Sequence, residues 1–279
     1  MKKFLTALIA FITFSYCWVS ANTHYGYDIP VTIAVNSSII ETEDNSFIIN
    51  NTAYAPIRFI LNALGIYEME WKDDEKSVSF SYNENEVKLY AGYKYAFVNG
   101  EKLPVTNNIV LKNSRILAPV RFISELFGFD VNWSDTFYIA NLAKTGVVPA
   151  DDLLEKEYDL NDLVWLTRLI EAESAGEPFN GKIAVGNVVL NRVKDNNFPD
   201  TIHGVIFDRN YGVQFQPIAN NAIYNTPSRD SVIAGKLAIR NENQAGECLY
   251  FLNPKTASNF WIINNRTYYK TINNHDFYL

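Results

Sequence analysis

The chain has few cysteines, few histidines and fewer basic than acidic residues, and each shortage excludes a class of protein. It contains two cysteines, Cys17 and Cys248, and three histidines in 279 residues. Neither the H-x-x-x-H nor the C-x-x-C spacing of zinc sites occurs, so we expect no metal site. The formal net charge of −7, from 24 basic and 31 acidic residues, argues against nucleic acid as a partner.

The N-terminal segment is predicted to be a secretory signal peptide. Residues 1–21 contain two lysines, a short apolar run and small residues before an expected cleavage after Ala21. An uncleaved N-terminal anchor is the alternative. Cleavage would remove Lys2 and Lys3 and no acidic residue, so the net charge would become −9. Cys248 would then be the only cysteine, which excludes an intrachain disulfide, and its apolar neighbours predict a buried strand.

An internal repeat occupies the first half of the chain. The segment YAPIRFI at residues 54–60 recurs as LAPVRFI at residues 117–123. In each copy, two short apolar strands around a polar turn precede a predicted helix. Pro56 and Pro119 are expected at the first helical position, where a proline loses no hydrogen bond.

Each predicted helix of the repeat ends at a glycine and is followed by another strand. Gly65 and Gly128 fit the left-handed position after the last helical turn. The strands that follow are expected to end at Trp71 and Trp133. Residues 28–143 are therefore predicted to form a small duplicated α+β domain.

The A-P-x-R-F-I motif and its repetition resemble the N-terminal domain of copper amine oxidases, often called a stalk domain in secreted bacterial proteins. The resemblance implies association with the cell wall or a spacing role. It does not imply copper, because the segment has no His or Cys at metal-ligand spacing. Arg58 and Arg121 could bind wall polymers, although bracing of their own helices is the favoured interpretation.

Residues 144–158 are rich in turn formers and charges and are predicted to link this domain to a second one at residues 159–279. In the second domain we expect a helix at residues 230–240. Strands are expected at residues 247–252 and 261–263.

Two helices are predicted at the start of the second domain. Asp159 or Asn161 can cap the first helix, and Asn180 can cap the second, at residues 181–194. The second helix is apolar nearly all round, and Gly186 permits close approach. It should therefore be the buried centre of the domain.

The first of these helices places one carboxyl group at the end of its apolar face. Glu173 projects from the apolar side at 100° per residue, whereas Glu171 points elsewhere. The residues that form this apolar side are Leu163, Leu166, Leu169 and Ile170. A carboxyl group on an apolar face loses hydration in its charged form, so its pKa should rise and leave it protonated near neutral pH. A general acid requires this state.

The second domain resembles the SleB/CwlJ family of cell wall hydrolases, known from lysis of the spore cortex. The matching blocks, in the family's order, are RLIEAESAGEPFNGKIAVGNVVLNRV, FPDTIHGVIF, VQFQP, YFLNPKTA and IINNRTYYKTINNHDFY. The resemblance implies a lysozyme-like or lytic-transglycosylase-like fold, mainly helical α+β. It also implies cleavage of peptidoglycan glycan strands after N-acetylmuramic acid, without a metal or organic cofactor. It places the family's catalytic glutamate at Glu173.

Glu173 would act first as an acid that protonates the leaving glycosidic oxygen. In a lytic transglycosylase it would then take the proton of the muramic C6 hydroxyl, so that a 1,6-anhydro ring closes. A muramidase with two carboxylates would need a second acid. The available acids are Glu177, Asp195, Asp200 and Asp208. None is an obvious partner, which favours the transglycosylase over a muramidase. An N-acetylmuramoyl-L-alanine amidase and a noncatalytic wall-binding protein are further alternatives.

A sugar-binding groove combines aromatic faces with amide groups, and seven residues of the second domain are candidates for contact with substrate. These are Glu177, Gln214, Phe215, Tyr250, Asn253, Trp261 and His275. For Phe215 and Tyr250 a core position is the favoured alternative. His275 could orient the acid or be structural. We expect peptidoglycan glycan strands as the partner and a secreted protein at the cell wall or spore envelope of a Gram-positive-type bacterium. The sequence does not identify a protein partner.

Overall fold

The computed structural model describes residues 23–24, 26–42, 45–210 and 214–279. The predicted signal peptide lies outside the described residues. In chain order, the strands are β1 (Thr23–His24), β2 (Tyr27–Asp28), β3 (Thr32–Val35), β4 (Ser38–Ile39), β5 (Phe47–Ile49), β6 (Thr52–Pro56), β7 (Glu70–Lys72), β8 (Ser77–Tyr82), β9 (Asn85–Tyr90), β10 (Tyr95–Val98), β11 (Glu101–Pro104), β12 (Val110–Lys112), β13 (Arg115–Pro119), β14 (Asp130–Ser134), β15 (Ile139–Ala143), β16 (Tyr250–Leu252), β17 (Tyr268–Ile272) and β18 (His275–Tyr278). The α-helices are α1 (Ile57–Ala63), α2 (Val120–Leu126), α3 (Leu160–Ser174), α4 (Phe179–Lys194), α5 (Ile202–Phe207), α6 (Gln216–Ala219), α7 (Arg229–Ile239) and α8 (Trp261–Asn265). Short 3-10 turns lie at Asp151–Leu153 and Ala222–Tyr224.

The N-terminal part is built mainly from three sheets. Their strand orders are β11-β10-β9-β8-β7, β12-β13-β6-β5 and β14-β15-β3-β4. All neighbouring strands in them are antiparallel except β15 and β3, which are parallel. Along β9, Val87 and Leu89 are buried, while the alternating residues Lys88 and Tyr90 reach solvent, as expected for a sheet with one face on the core.

The two sequence copies have the same local structure. Each forms a hairpin, β5-β6 or β12-β13, that leads into a seven-residue helix, α1 or α2. The inner strands β6 and β13 pair antiparallel, and Ala55 lies opposite Ala118, the equivalent residue of the other copy. A local two-fold axis therefore passes between these strands.

The glycines after α1 and α2 have the predicted conformation, but the prolines before these helices do not. Gly65 and Gly128 have φ angles of 75° and 74°, in the left-handed region. Pro56 and Pro119 were expected as first helical residues, yet both are extended. They end the paired strands β6 and β13, so strand pairing fixes their ψ angles before the helix begins.

Helices α3, α4 and α7 form the centre of the C-terminal part, and the sheet β16-β18-β17 packs beside them. A capping box between Asp159 and Asp162 starts α3. All residues from 181 to 189 of α4 are buried, which confirms the predicted central helix. A Cβ added at Gly186 would lie 3.0 Å from the Ala238 side chain of α7, so the glycine permits the close approach.

Two predicted details of this part are wrong. Helix α4 begins at Phe179 after Pro178, and Asn180 lies inside its first turn, where its side chain accepts the N–H of Gly181. Residues 261–263, predicted as a strand, belong to helix α8. The Asn259 side chain accepts the N–H of Trp261 at 2.8 Å, and this local bond turns the chain into a helix despite its apolar composition.

The predicted linker is packed against the N-terminal part. The Glu41 N–H donates to Leu153 O at 2.9 Å, and the Glu155 N–H donates to Ile39 O at 3.0 Å. Buried Lys236 of α7 also donates its Nζ to Tyr138 O across the two parts. In the portion of the chain that the structure describes, no helix combines the length and apolar character needed to cross a bilayer.

Candidate active site

Glu173 lies in the last turn of α3 and is half-buried. Within the described residues, no hydrogen bond reaches its carboxyl group. Loss of hydration raises its pKa to about 7, and the positive charge of Arg192 opposes this rise. The sequence-based prediction of a raised pKa is therefore confirmed, and the group is partly protonated at neutral pH.

Glu171 lies two residues before Glu173 on the same helix, and its pKa is shifted in the opposite direction. Its carboxylate accepts hydrogen bonds from the hydroxyls of Ser228 at 2.5 Å and Ser231 at 2.6 Å. Burial alone would raise the pKa of Glu171, but these hydrogen bonds lower it below its usual value. Glu171 therefore stays ionised and fastens α3 to the start of α7.

Arg192 of α4 is the residue of this site that the sequence analysis did not propose for function. Its side chain is buried, and its Nε donates to Leu249 O at 2.7 Å. Its Nη1 has no hydrogen-bond partner among the described residues. The guanidinium lies 5.2 Å from the ring centroid of Phe215 and 5.5 Å from that of Tyr250. Arg192 is therefore a buried cation, and its charge attracts the ionised form of Glu173.

The C-terminal end of α4 holds the strand that forms the aromatic side of the site. Asn191 donates its Nδ2 to Gly246 O and Cys248 O, both at 2.9 Å. Together with the Arg192 bond to Leu249 O, these contacts fix the segment before β16. Tyr250 is thereby placed over the Arg192 guanidinium. The segments NRV at residues 191–193 and YFLNP at residues 250–254 are distant in sequence and contact each other through Arg192 and Tyr250.

An exposed aromatic surface continues outward from Tyr250. The ring centroids of Tyr250 and Trp261 are 6.2 Å apart, and Trp261 is 49% exposed. Arg266 donates its Nη2 to the Tyr250 hydroxyl at 2.8 Å and lies over both rings. Tyr250 and Trp261 were predicted from the sequence as substrate contacts. Arg266 was not predicted, although it lies in the matching segment IINNRTYY. This surface can stack on sugar rings.

Glu177 and Asn253, proposed as substrate contacts, are engaged in bracing the protein. Glu177 accepts hydrogen bonds from the side chains of Asn273 and Asn274 in the turn between β17 and β18. Burial would raise the pKa of Glu177, but these bonds lower it. The Asn253 side chain accepts the N–H of Lys255 and closes a local turn.

The remaining proposed contacts differ in accessibility. Phe215 is 3% exposed and lies against Arg192, in the core position that the sequence favoured over a substrate contact. His275 is buried beside Phe251, and burial lowers its pKa, with the charge of Glu177 opposing the change. The Nδ1 atom of His275 has no hydrogen-bond partner among the described residues, so it does not hold an acid on α3 by a hydrogen bond. Gln214 is half-buried near the start of α6.

Two family profiles match the chain. Residues 176–278 match the family described as Cell Wall Hydrolase, and residues 34–139 match the family described as Copper amine oxidase N-terminal domain. The first range begins three residues after Glu173. The match therefore covers Arg192, Tyr250 and the aromatic surface, and Glu173 lies just outside it.

Curated relatives include spore cortex-lytic enzymes. The Bacillus cereus enzyme is 39% identical over 105 residues, which are 38% of this chain and 39% of the relative. The Halalkalibacterium halodurans enzyme is 35% identical over 138 residues, which are 50% of this chain and 39% of the relative. The chain thus spans about two fifths of the length of these relatives.

The solved catalytic domain of the germination-specific lytic transglycosylase SleB from Bacillus anthracis is 36% identical in sequence. The alignment covers 45% of this chain and all of that domain, with a TM-score of 0.42. The C-terminal part is therefore similar in sequence to cell wall hydrolases, and the N-terminal part is similar to copper amine oxidase N-terminal domains.

Proposed function

We propose that the protein cleaves peptidoglycan glycan strands as a lytic transglycosylase, with Glu173 as the only acid and base. The observation that carries the proposal is the state of Glu173, whose carboxyl group is desolvated and has a pKa of about 7. Such a group holds a proton at neutral pH and can release it to a glycosidic oxygen. The relatedness to spore cortex-lytic enzymes supports an activity on the cell wall and favours cortex as the target.

The mechanism follows from the two charge states of Glu173. In the first step the protonated carboxyl donates to the leaving oxygen, while the sugar ring develops positive charge. The resulting carboxylate is stabilised by the Arg192 charge. In the second step it accepts the proton of the muramic C6 hydroxyl, the oxygen of that hydroxyl bonds to C1, and Glu173 returns to its protonated state. The exposed ring of Trp261 would position the sugars.

The second candidate is a muramidase in which Asp208 assists a water molecule. Asp208 is the only other carboxylate that contributes an attractive interaction to Arg192 among the described residues. Its Oδ1 already accepts the N–H of Asn210, and it would have to act while held in this turn. Glu177, the acid nearest in sequence, is occupied by asparagines.

Mass spectrometry of muropeptides released from purified sacculi tests the proposal. A transglycosylase yields 1,6-anhydro ends, which are one water lighter than the reducing ends of a muramidase. We expect anhydro ends from the parent protein and none from Glu173→Gln, with Asp208→Asn retaining the parent's products. Reducing ends that disappear in Asp208→Asn would establish the muramidase, and release of fragments by Glu173→Gln at the parent's rate would overturn both.

We also propose that the protein is secreted and that its N-terminal part associates with the wall. The predicted signal segment and the repeat that resembles stalk domains support this role. A protein located in the cytoplasm of the producing cells by fractionation would contradict it.

A further inference from the structure

We propose that Arg266 binds a carboxylate of the substrate, so that the protein prefers glycan strands that carry one near the cleaved bond. The inference rests on the proposed function, because it takes peptidoglycan as the substrate. Two groups of peptidoglycan supply such a carboxylate. One is the stem peptide, and the other is the lactyl group of a muramic acid that has lost its peptide. Arg266 would determine specificity and take no part in the chemical step.

Arg266 is connected to the candidate active site through the ring of Tyr250. Its guanidinium lies 4.6 Å from the ring centroid of Tyr250, and the guanidinium of Arg192 lies 5.5 Å from the same centroid. Arg192 is the cation whose charge opposes the raised pKa of Glu173. A ligand group held by Arg266 is therefore separated from this cation by one aromatic ring.

The surrounding contacts fix the Arg266 side chain before any ligand binds. Its Nη2 donates to the Tyr250 hydroxyl at 2.8 Å, and its guanidinium also lies 5.0 Å from the ring centroid of Trp261. The backbone N–H of Arg266 donates to Ile262 O at 2.9 Å, at the end of α8. Because the side chain is already ordered, ligand binding costs little additional conformational entropy.

The remaining donors of Arg266 are available to a ligand. The residue is exposed, and it forms no ion pair with a carboxylate among the described residues. The planar guanidinium suits two parallel hydrogen bonds to one carboxylate. With a net charge of −7, the chain as a whole repels anionic glycan, so this local cation favours one position for a carboxylate. Solvent weakens such a pair, and we therefore expect a modest preference.

A purely structural role for Arg266 predicts a different pattern. If Arg266 only held the Tyr250 ring, its replacement would impair cleavage of every glycan to a similar extent. If Arg266 binds a carboxylate, its replacement weakens the binding of carboxylate-bearing glycans alone. The two roles are therefore separated by changing the substrate together with the residue.

Three preparations of sacculi, all freed of wall teichoic acid, provide these substrates. Intact sacculi carry stem-peptide carboxylates, and sacculi digested with an amidase carry lactyl carboxylates. Intact sacculi treated with carbodiimide and methylamine have their carboxylates converted to amides. Fragment release is measured against sacculus concentration. We expect Arg266→Gln to raise the half-saturating concentration about fivefold on one or both of the first two preparations, with the maximal rate and the values for amidated sacculi unchanged. The affected preparation identifies the source of the carboxylate.

Arg229→Gln is the matched control, because Arg229 is exposed at the start of α7 and contacts no aromatic ring in the described part of the chain. It should behave as the parent on all three preparations. An Arg266→Gln effect of equal size on all three, or no effect on any, would overturn the inference.

Calorimetry with soluble glycan fragments from the same preparations measures binding without cleavage, in proteins that carry Glu173→Gln. Binding that depends on Arg266 and on the carboxylate, in a protein whose parent form releases no fragments, would contradict the proposed function alone. Release of anhydro ends with an Arg266→Gln effect that does not depend on carboxylates would contradict this inference alone.

Discussion

Replacement of Glu173 by glutamine should make the protein more stable at alkaline pH. In the folded chain the pKa of Glu173 is about 7, whereas the ordinary value is 4.5. The stabilising contribution of the protonated form is complete below pH 4.5 and is lost as the pH rises through 7. The ionised parent is therefore penalised at pH 8, and the uncharged glutamine is not.

The expected size follows from the difference of the two pKa values. One pKa unit corresponds to about 1.4 kcal/mol, so the full penalty at pH 8 is about 3 kcal/mol, against about 1 kcal/mol at pH 5. Glu173 is only half-buried, and solvent screens part of its charge. We therefore expect the stability difference between Glu173→Gln and the parent to grow by about 2 kcal/mol from pH 5 to pH 8.

Urea unfolding of both proteins at the two pH values measures this difference. Comparing the variant with the parent cancels the titration of all other groups. Glu177→Gln is the matched control with the opposite sign, since hydrogen bonds lower the pKa of Glu177. It should destabilise the protein more at pH 8 than at pH 3. A Glu173→Gln effect that is the same at pH 5 and pH 8 would refute the desolvated acid on which the proposed mechanism depends.

Two further predictions concern the surroundings of Glu173. Arg192→Met removes the charge that opposes the raised pKa of Glu173, so the alkaline limb of the pH–rate profile should move to higher pH while turnover falls about 10²-fold. An unchanged profile would show that Arg192 serves only packing. Gly235→Ala should destabilise the protein by about 1–3 kcal/mol, because the new Cβ would lie 2.7 Å from the Thr167 side chain on α3. Gly176→Ala, where no atom lies within 4 Å, is its control in thermal unfolding and should differ little from the parent.

The sequence predicted those features that depend on local periodicity. The apolar face of α3 requires only the 100° rotation per residue, and this rotation is sufficient to place Glu173 and Glu171 on different sides of the helix. The buried helix α4 and the left-handed glycines Gly65 and Gly128 are local in the same sense. Where a single nearby side chain overrode the pattern, as Asn259 does at Trp261, the prediction of a strand was wrong.

What the sequence by itself determined is the helix that carries Glu173 on its apolar face, together with two copies of a repeated unit. Only the tertiary structure determined which residues lie next to Glu173 and how the two copies pair. In the sequence, Arg192 is only a residue of a buried helix. In the fold it binds Leu249 O, and its Nη1 has no partner among the described residues. The pairing of β6 with β13 likewise turns a linear repeat into two copies related by a local two-fold axis. These contacts join residues that lie tens of positions apart, and their distances depend on packing that no local pattern encodes.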